Sequence, residues 1–147
     1  MILRPAEIDD MVGVANTFFI SRRVSLPFLP QQHTREQVAD HFCDTVWKTD
    51  EIWVIDEHDI IAGFAARHDG WLNHLYILPD YQGQGFGLQL LEKAQEGWDE
   101  MQLWAFQKNT RARKFYEKRG FTVTKLTDGA DNMEKEPDVL YHWRRPS

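Results

Sequence analysis

The sequence predicts a single-domain α/β fold, with a mixed, mostly antiparallel sheet of seven strands and helices on both faces. Three observations predict it. A chain of 147 residues, 42% of them hydrophobic, suits one domain over residues 1–147 with its own core. Apolar residues change from helical spacing to short apolar runs typical of strands. Two strand–helix–strand units late in the chain predict parallel pairing there, whereas earlier hairpins predict antiparallel pairing.

The first third of the chain predicts a short edge strand and two helices. Residues 1–4 are the strand, and a helix opens at Pro5 with apolar residues at three- and four-residue steps, namely Ile8, Met11, Val12, Ala15, Phe18 and Phe19. Residues 21–32 contain two prolines and predict a loop. Thr34 and Gln37 form a capping box, which starts a second helix with the inner face Val38, Phe42 and Val46.

The middle of the chain predicts three antiparallel strands. Apolar runs at residues 52–55 and 60–66 are joined by the turn residues 56–59, a hairpin signal. Asp69-Gly70 is a second turn of the type that favours positive φ. The third strand covers residues 71–78 and is ended by Pro79.

The second half predicts alternating strands and helices. A glycine-rich loop leads into a helix with Leu91, Ala94 and Trp98 on one face. A helix over residues 109–119 stops at Gly120, which suits the position after a helix end. The remaining elements are strands at residues 101–106, 121–126 and 139–143 and a polar loop at residues 127–137.

Composition excludes several classes of protein. The net charge of −6 disfavours a nucleic-acid binder, which needs a basic face. One cysteine cannot form an internal disulfide, and no apolar run approaches the roughly 20 residues that span a bilayer. Charges in the first ten residues leave no signal-peptide core. The six histidines form no metal-ligand cluster. We therefore expect a cytoplasmic protein without a metal, a membrane or a nucleic-acid partner.

The stretch from Tyr76 to Gly87 is the most informative about chemistry. A strand runs into a loop with three glycines in five residues, Gly83, Gly85 and Gly87, and then into an amphipathic helix. Glycines let the backbone approach an anion, and the unpaired amides at a helix start attract phosphate. The stretch lacks the Lys of a Walker A loop, and its glycine spacing does not fit the dinucleotide fingerprint. A tight turn without a ligand is the structural alternative.

Two blocks of the sequence resemble the GNAT superfamily of N-acyltransferases. Gln82-x-x-Gly85-x-Gly87 is similar to the family's acyl-CoA signature. Asn109-x-x-Ala112-x-x-Phe115-Tyr116-x-x-x-Gly120-Phe121 resembles its second block, at the usual separation with one strand between. The resemblance implies transfer of an acyl group, usually acetyl, from acetyl-CoA to an amine within a ternary complex.

The resemblance also implies where acetyl-CoA binds. The amides of residues 83–88 would hold the pyrophosphate, and the backbone of residues 75–77 would pair with the pantetheine arm. The expected cofactor-binding residues are Leu75, Tyr76, Ile77, Gln82, Gly83, Gln84, Gly85, Phe86, Gly87, Leu88, Asn109 and Lys114. Asn109 also suits a helix N-cap. Lys114 belongs to a basic helix that is either a solvated face or a contact for the 3′-phosphate.

Tyr116 and His74 are the candidate catalytic residues. Tyr116 occupies the family's tyrosine position and is expected to protonate the departing thiolate, with a plain core aromatic as the alternative. His74 is the candidate base because its ordinary pKa suits proton removal near neutrality. The alternatives are that His74 points to the other face of the sheet, that an ordered water relays the proton, or that solvent takes it.

The aromatic excess is the best sequence clue to the acceptor. Phe28, Trp71 and Trp104 are expected to line an apolar or cation-accepting pocket. Trp104 stands where acetylators of protein N-termini in this family place a glutamate, which makes that subclass a weaker match. We expect a small-molecule amine as the acceptor. A peptide or protein amine, and a non-catalytic acyl-CoA sensor, are the alternatives. Dimers are common in the family, so a homodimer is one expected assembly.

Overall fold

The computed structural model describes all residues from Met1 to Ser147, which form two compact units, Met1–Glu96 and Gly97–Ser147. None of the helices is long and apolar enough to cross a membrane. The strands are β1 (Ile2–Pro5), β2 (Glu51–Glu57), β3 (Ile60–His68), β4 (Trp71–Ile77), β5 (Glu100–Phe106), β6 (Thr122–Leu126) and β7 (Asp138–Arg144). The helices are α1 (Met11–Ser25), α2 (Arg35–His41), α3 (Trp47–Thr49), α4 (Phe86–Gln95) and α5 (Thr110–Lys118), with a π-helical turn at Phe42–Val46 between α2 and α3. The predicted order of strands and helices is confirmed.

The first unit contains an antiparallel sheet in the order β1-β2-β3-β4. Both predicted turns join its strands, and positive φ angles at His58, Asp59, Asp69 and Gly70 show why polar residues and glycine stand there. The register aligns Val54 with Phe64 and Phe64 with Tyr76. Because paired residues share a face, alternate residues of each strand point to opposite sides of this sheet.

Helices α1 and α2 pack on one face of the first sheet. The core there combines residues from both helices, from the π-helical turn that follows α2, and from β2 and β3, namely Met11, Val14, Ala15, Phe19, Val38, Phe42, Val46, Ile52, Val54, Phe64 and Ala66. Gly13 allows the close approach, because a Cβ there would lie 2.9 Å from Cγ1 of Ile61. The buried Thr17 hydroxyl donates to the carbonyl of Ile61 (2.7 Å) and ties α1 to β3.

Helix α4 packs on the opposite face. Its buried residues Leu90, Leu91 and Ala94 recur at helical spacing. A Cβ on Gly63 of β3 would lie 3.3 Å from Leu90, so glycine permits this contact. The buried Arg67 guanidinium donates to the carbonyls of Ala94 and Glu96 (both 2.7 Å) and closes the end of the helix.

The second unit corrects one prediction of strand pairing. Its strands lie in the order β5-β7-β6, and β7 is antiparallel to both neighbours. The second strand–helix–strand unit therefore does not give a parallel pair, because the last strand of the chain inserts between β5 and β6. Aromatic contacts join α5 to this sheet, with the Tyr116 ring 5.3 Å from Phe121 and 6.3 Å from Tyr141.

Several predicted boundaries shift in the structure. Pro5 ends β1, and the first helix begins with a 3-10 turn at Ile8–Asp10. Ile8 and Val12 are exposed, whereas Val14 is fully buried. Residues 21–25 are helical although the sequence predicts a loop there, because the first proline of that segment stands at position 27 and does not interrupt the helix before it. Trp98 lies beyond the end of α4.

The predicted capping box and inner face of the second helix are confirmed. Thr34 Oγ1 accepts from the amide of Gln37 (3.1 Å), and the Gln37 side chain accepts from the amide of Thr34 (2.9 Å). Val38, Phe42 and Val46 are all buried, as their spacing predicts.

Candidate functional site

A strand, a short loop and a helix form the core of the candidate site. β4 ends at Ile77, a 3-10 turn covers Pro79–Tyr81, and α4 begins at Phe86. Between them, Gly83 and Gly85 have φ angles of +82° and +83°. Side chains strain such left-handed backbone, so both positions require glycine or carry an energetic cost. The sequence therefore specifies this turn locally.

The start of α4 presents backbone amides without a competing side chain. Gly85 is the N-cap residue and has no side-chain oxygen, so the N-terminus of α4 has no side-chain cap. A Cβ added at Gly83 or Gly85 would meet no atom within 4 Å, so the space beside the loop is open. Unpaired amides at a helix N-terminus attract anions. The loop fits a phosphate or pyrophosphate group.

Packing of two aromatic rings holds this loop against the protein. The Phe86 side chain is buried at the first position of α4. Tyr81 lies nearly parallel to it, with ring centroids 6.4 Å apart. Gly83, Gln84 and Gly85 between these rings remain exposed. The exposed residues of the loop are thus flanked by packed aromatic side chains.

The backbone direction of β4 follows from its pairing with β3. The amide of Leu78 donates to Ala62 of β3 (2.8 Å), so its neighbour Ile77 directs its own amide and carbonyl away from β3. Leu75, two residues earlier, has the same direction, and Tyr76 between them faces β3. Among the predicted backbone contacts, Leu75 and Ile77 therefore share one edge of β4.

His74 lies within an aromatic cluster on the face of β4 that packs against α1. Its ring centroid lies 5.1 Å from Phe42, 5.5 Å from Phe18 and 6.0 Å from Phe64. Nδ1 of His74 is buried and has no hydrogen-bond partner. Burial lowers the pKa of His74 from 6.5 to about 4, because the apolar surroundings disfavour the imidazolium. The imidazole is therefore neutral near pH 7.

The two predicted acceptor residues of the first unit lie in different places. Trp71 begins β4 directly after the turn at Asp69-Gly70, and it pairs with His68. It is thus at the opposite end of β4 from the glycine loop. Phe28 is half-buried in the turn that follows α1.

The second unit carries Asn109, Lys114, Tyr116 and Trp104. Asn109 Oδ1 accepts from the amide of Ala112 (3.2 Å), which confirms the predicted N-cap of α5. Lys114 is exposed and Tyr116 is buried on that helix. Trp104 is 46% exposed on β5, on the face opposite to the buried Leu103 and Ala105.

A hydrogen-bonded tyrosine holds the helix that carries Tyr116. The hydroxyl of Tyr141, a fully buried residue of β7, donates to Oε2 of Glu117 (2.5 Å) and accepts from Nε of Arg113 (2.9 Å). Burial and the Glu117 carboxylate raise the pKa of Tyr141. The phenol stays protonated and bridges two residues that flank Tyr116 along α5.

Ser21 and Ser25 are contacts of the loop that the sequence did not predict. Ser21 Oγ donates to the carbonyl of Ile77 (3.2 Å), and Nε2 of Gln82 lies 3.5 Å from Ser25 Oγ. Both serines fall within residues 21–32, for which the two prolines predict a loop. The helical spacing of Val14, Thr17 and Ser21 is the signal that could have identified Ser21.

Comparison with known proteins gives one family and several relatives. A family model described as an acetyltransferase (GNAT) domain matches residues 48–123, just over half of the chain. An uncharacterized N-acetyltransferase of Archaeoglobus fulgidus is 33% identical over 86 residues, which make up 55% of this chain and 50% of that protein. The peptidyl-lysine N-acetyltransferase YiaC of Escherichia coli is 23% identical over 83% of this chain and 84% of its own length. YjaB of Salmonella typhimurium, also named a peptidyl-lysine N-acetyltransferase, is 35% identical over 60% and 61%.

Solved structures match nearly the whole chain. The solution structure of apo-form YjaB from Escherichia coli has a TM-score of 0.79 at 24% identity and covers 97% of this chain and 98% of that one. The PaiA N-acetyltransferase of Thermoplasma acidophilum, solved in complex with coenzyme A, has a TM-score of 0.75 at 17% identity and covers 98% of both chains. These matches confirm the predicted fold class, an α/β fold with a mixed seven-stranded sheet.

Proposed function

The chain belongs to the GNAT family of acetyltransferases, and from that premise we propose that it transfers the acetyl group of acetyl-CoA to a primary amine. The observation that carries the proposal is the strand–loop–helix at residues 77–86. Its two left-handed glycines, open surroundings and helix start without a side-chain cap suit the pyrophosphate of a coenzyme A thioester.

The proposed acetyl-CoA contacts divide between two kinds of group. Amides of residues 83–88 hold the pyrophosphate, and the edge of β4 that carries the backbone groups of Leu75 and the amide of Ile77 faces the pantetheine arm. Lys114 is the proposed contact for the 3′-phosphate, and Asn109 is a proposed contact near the pantetheine. When bound, acetyl-CoA supplies a thioester whose carbonyl carbon can be attacked by a neutral amine.

Tyr116 is the proposed acid. A phenol hydroxyl can donate a hydrogen bond to the departing sulfur and then give it the proton as the C–S bond breaks, so that coenzyme A leaves as a neutral thiol. The bridge from Tyr141 to Arg113 and Glu117 supports this role, because it fixes the helix on which Tyr116 lies. Direct transfer within a ternary complex needs no covalent intermediate on the protein.

The acceptor amine must also lose a proton before it attacks the thioester. Burial lowers the pKa of His74 to about 4, so at pH 7 it is a weaker acceptor for an ammonium proton than an ordinary imidazole. This counts against the predicted role of His74 as the base. We propose instead that water removes the proton before attack. His74 stays neutral and packs among the aromatic rings that surround it.

For the acceptor, we propose the side-chain amine of a lysine in a peptide. The names of YiaC and YjaB support this class, and YiaC aligns with most of the chain. The small-molecule amine predicted from the sequence is the second candidate. The exposed Trp104 favours a cationic group in either case, because indole rings attract ammonium ions.

An amine panel assayed for thiol release tests the proposal. The panel contains lysine peptides, peptides with only an α-amine, polyamines, amino acids and aminoglycosides. Release of coenzyme A that depends on the amine, with acetylated product identified by mass, supports the enzyme. Tight binding of acetyl-CoA without turnover on any amine would instead identify a sensor module.

A further inference from the structure

Two buried hydroxyl groups lie one turn apart on α1. Thr17 and Ser21 are 1% and 2% exposed, and their four-residue separation places them on one face of the helix. Thr17 Oγ1 donates to the carbonyls of Gly13 (3.0 Å) and Ile61 (2.7 Å). Ser21 Oγ donates to the carbonyl of Ile77 (3.2 Å). A serine in a helix commonly bonds within its own helix, so this outward bond to a strand end is distinctive.

The carbonyl of Ile77 is held by two side chains. Ile77 is the last residue of β4, and its carbonyl points away from β3. The pairing of β4 with β3 therefore leaves this carbonyl without a backbone partner on β3. Gln82 Nε2 is the second donor, also at 3.2 Å. A carbonyl oxygen has two lone pairs, so Ser21 and Gln82 together satisfy it.

The Gln82 bond closes a small ring of backbone at the start of the loop. Within that ring the amide of Tyr81 donates to Leu78 (2.9 Å) and the amide of Gln82 to Pro79 (3.3 Å). Gln82 directly precedes Gly83, whose left-handed φ begins the turn into α4. The orientation of the glycine amides is therefore connected to Ile77 through one side chain, and to α1 through Ser21.

We propose that Ser21 is a positioning residue for the acyl-CoA loop, acting through the carbonyl of Ile77 and the side chain of Gln82. The inference rests on the proposed function of that loop as the acetyl-CoA site. Ser21 does not touch the cosubstrate. Its hydroxyl keeps the end of β4 and the ring closed by Gln82 in the geometry that aims the amides of residues 83–88 at one anion.

Thr17 offers a matched control on the same helix. Its hydroxyl is equally buried and also donates to a strand carbonyl, but that carbonyl belongs to Ile61 of β3 and not to β4 or to the ring closed by Gln82. If buried hydroxyls on α1 serve only to stabilise the fold, loss of either one has the same consequences. If Ser21 positions the loop, only its loss weakens the binding of coenzyme A.

Calorimetric titration with coenzyme A, without any acceptor amine, distinguishes the positioning role from a purely stabilising one. We expect Ser21→Ala to raise the Kd of coenzyme A by about three- to tenfold, the range that one neutral hydrogen bond supports. Thr17→Val should change that Kd by less than about twofold, although both variants lower Tm. An unchanged Kd for Ser21→Ala, or an equal rise in both variants, would overturn the positioning role.

Hydrogen exchange in the free protein keeps this inference separate from the proposed function. The amides of Tyr81 and Gln82 donate to the carbonyls of Leu78 and Pro79, within the segment that Ser21 is proposed to hold. We expect faster exchange at both in Ser21→Ala and not in Thr17→Val. Wild-type protein that binds no coenzyme A contradicts the proposed function. Unchanged exchange in Ser21→Ala contradicts the positioning of the segment, whatever the ligand.

Discussion

Tyr116 is the residue whose hydroxyl the proposed chemistry requires. Its ring packs against Phe115 and Phe121, both at centroid distances of 5.3 Å, so Tyr116→Phe keeps the packing and removes only the hydroxyl. We expect kcat to fall on the order of 10²-fold, the effect of losing a general acid, with an unchanged Kd for coenzyme A. Steady-state kinetics and calorimetry on one preparation measure both quantities.

Tyr141 provides the control for that substitution. Tyr141→Phe also removes a phenol from the second unit, but its hydroxyl bonds Glu117 and Arg113 and has no proposed role in proton transfer. We expect it to lower Tm and to reduce kcat less than Tyr116→Phe does. Equal kcat values for Tyr116→Phe and wild type would contradict the acid role.

His74 makes the stability of the protein depend on pH. Its pKa is about 4 in the folded chain against 6.5 in the unfolded one, so the unfolded chain binds more protons between these values. The contribution to stability is complete above about pH 6.5 and is lost as the pH falls toward 4. Urea unfolding at several pH values should show wild type losing stability in this window, and His74→Phe losing less.

The exposed His33 serves as the comparison for His74→Phe. His33→Phe changes the same residue type outside the aromatic cluster, so the pH dependence of unfolding should match wild type. If His74→Phe and wild type lose stability in parallel below pH 6.5, burial of His74 is not the cause.

At the scale of elements, the glycine loop can be tested by adding one methyl group. Gly83 and Gly70 have φ angles of +82° and +87°, and a Cβ at either would meet no atom within 4 Å. Alanine at either position should therefore cost a similar free energy of unfolding, about 1–2 kcal/mol from the backbone alone. Only Gly83→Ala should also weaken binding of coenzyme A, because Gly70 lies in the β3–β4 turn. Equal affinities of both variants for coenzyme A would contradict a role of the glycine loop in binding it.

Local signals in the sequence predict the elements well where the residues of one segment decide them. The Thr34–Gln37 capping box, the Asp69-Gly70 turn and the stop at Gly120 each depend on contacts within a few residues, and all are present. Strand order is different, because it depends on partners distant in sequence. Nothing near β5 or β6 indicates that β7 will lie between them, so the predicted parallel pairing of β5 with β6 is wrong.

The site shows the same division. The glycines and the helix that follows them predict the anion-binding loop, because local backbone geometry determines its shape. The contact of Ser21 with Ile77 joins residues 56 positions apart and could not be seen in the sequence. The low pKa of His74 also depends on distant residues, since its aromatic neighbours Phe18 and Phe42 belong to the first half of the unit. The sequence alone therefore predicts a histidine of ordinary pKa as the base.

At the scale of the whole molecule, the fold and the acceptor are separate questions. Eight solved structures that match the fold, with TM-scores of 0.71 to 0.79, are 13–24% identical to this chain. A shared fold at that identity fixes the arrangement of elements and not the amine, because acceptor contacts lie in individual side chains. The net charge of −6 fits a cationic acceptor, since a negative protein attracts ammonium groups.

A single competition experiment tests the central claim most directly. The protein is incubated with isotopically labelled acetyl-CoA and an equimolar mixture of a lysine peptide, a peptide whose only amine is the α-amine, and a polyamine. Mass spectrometry then locates the label. We predict label on the lysine side chain, accompanied by an equal amount of free coenzyme A. Binding of acetyl-CoA with no label on any amine would contradict the account.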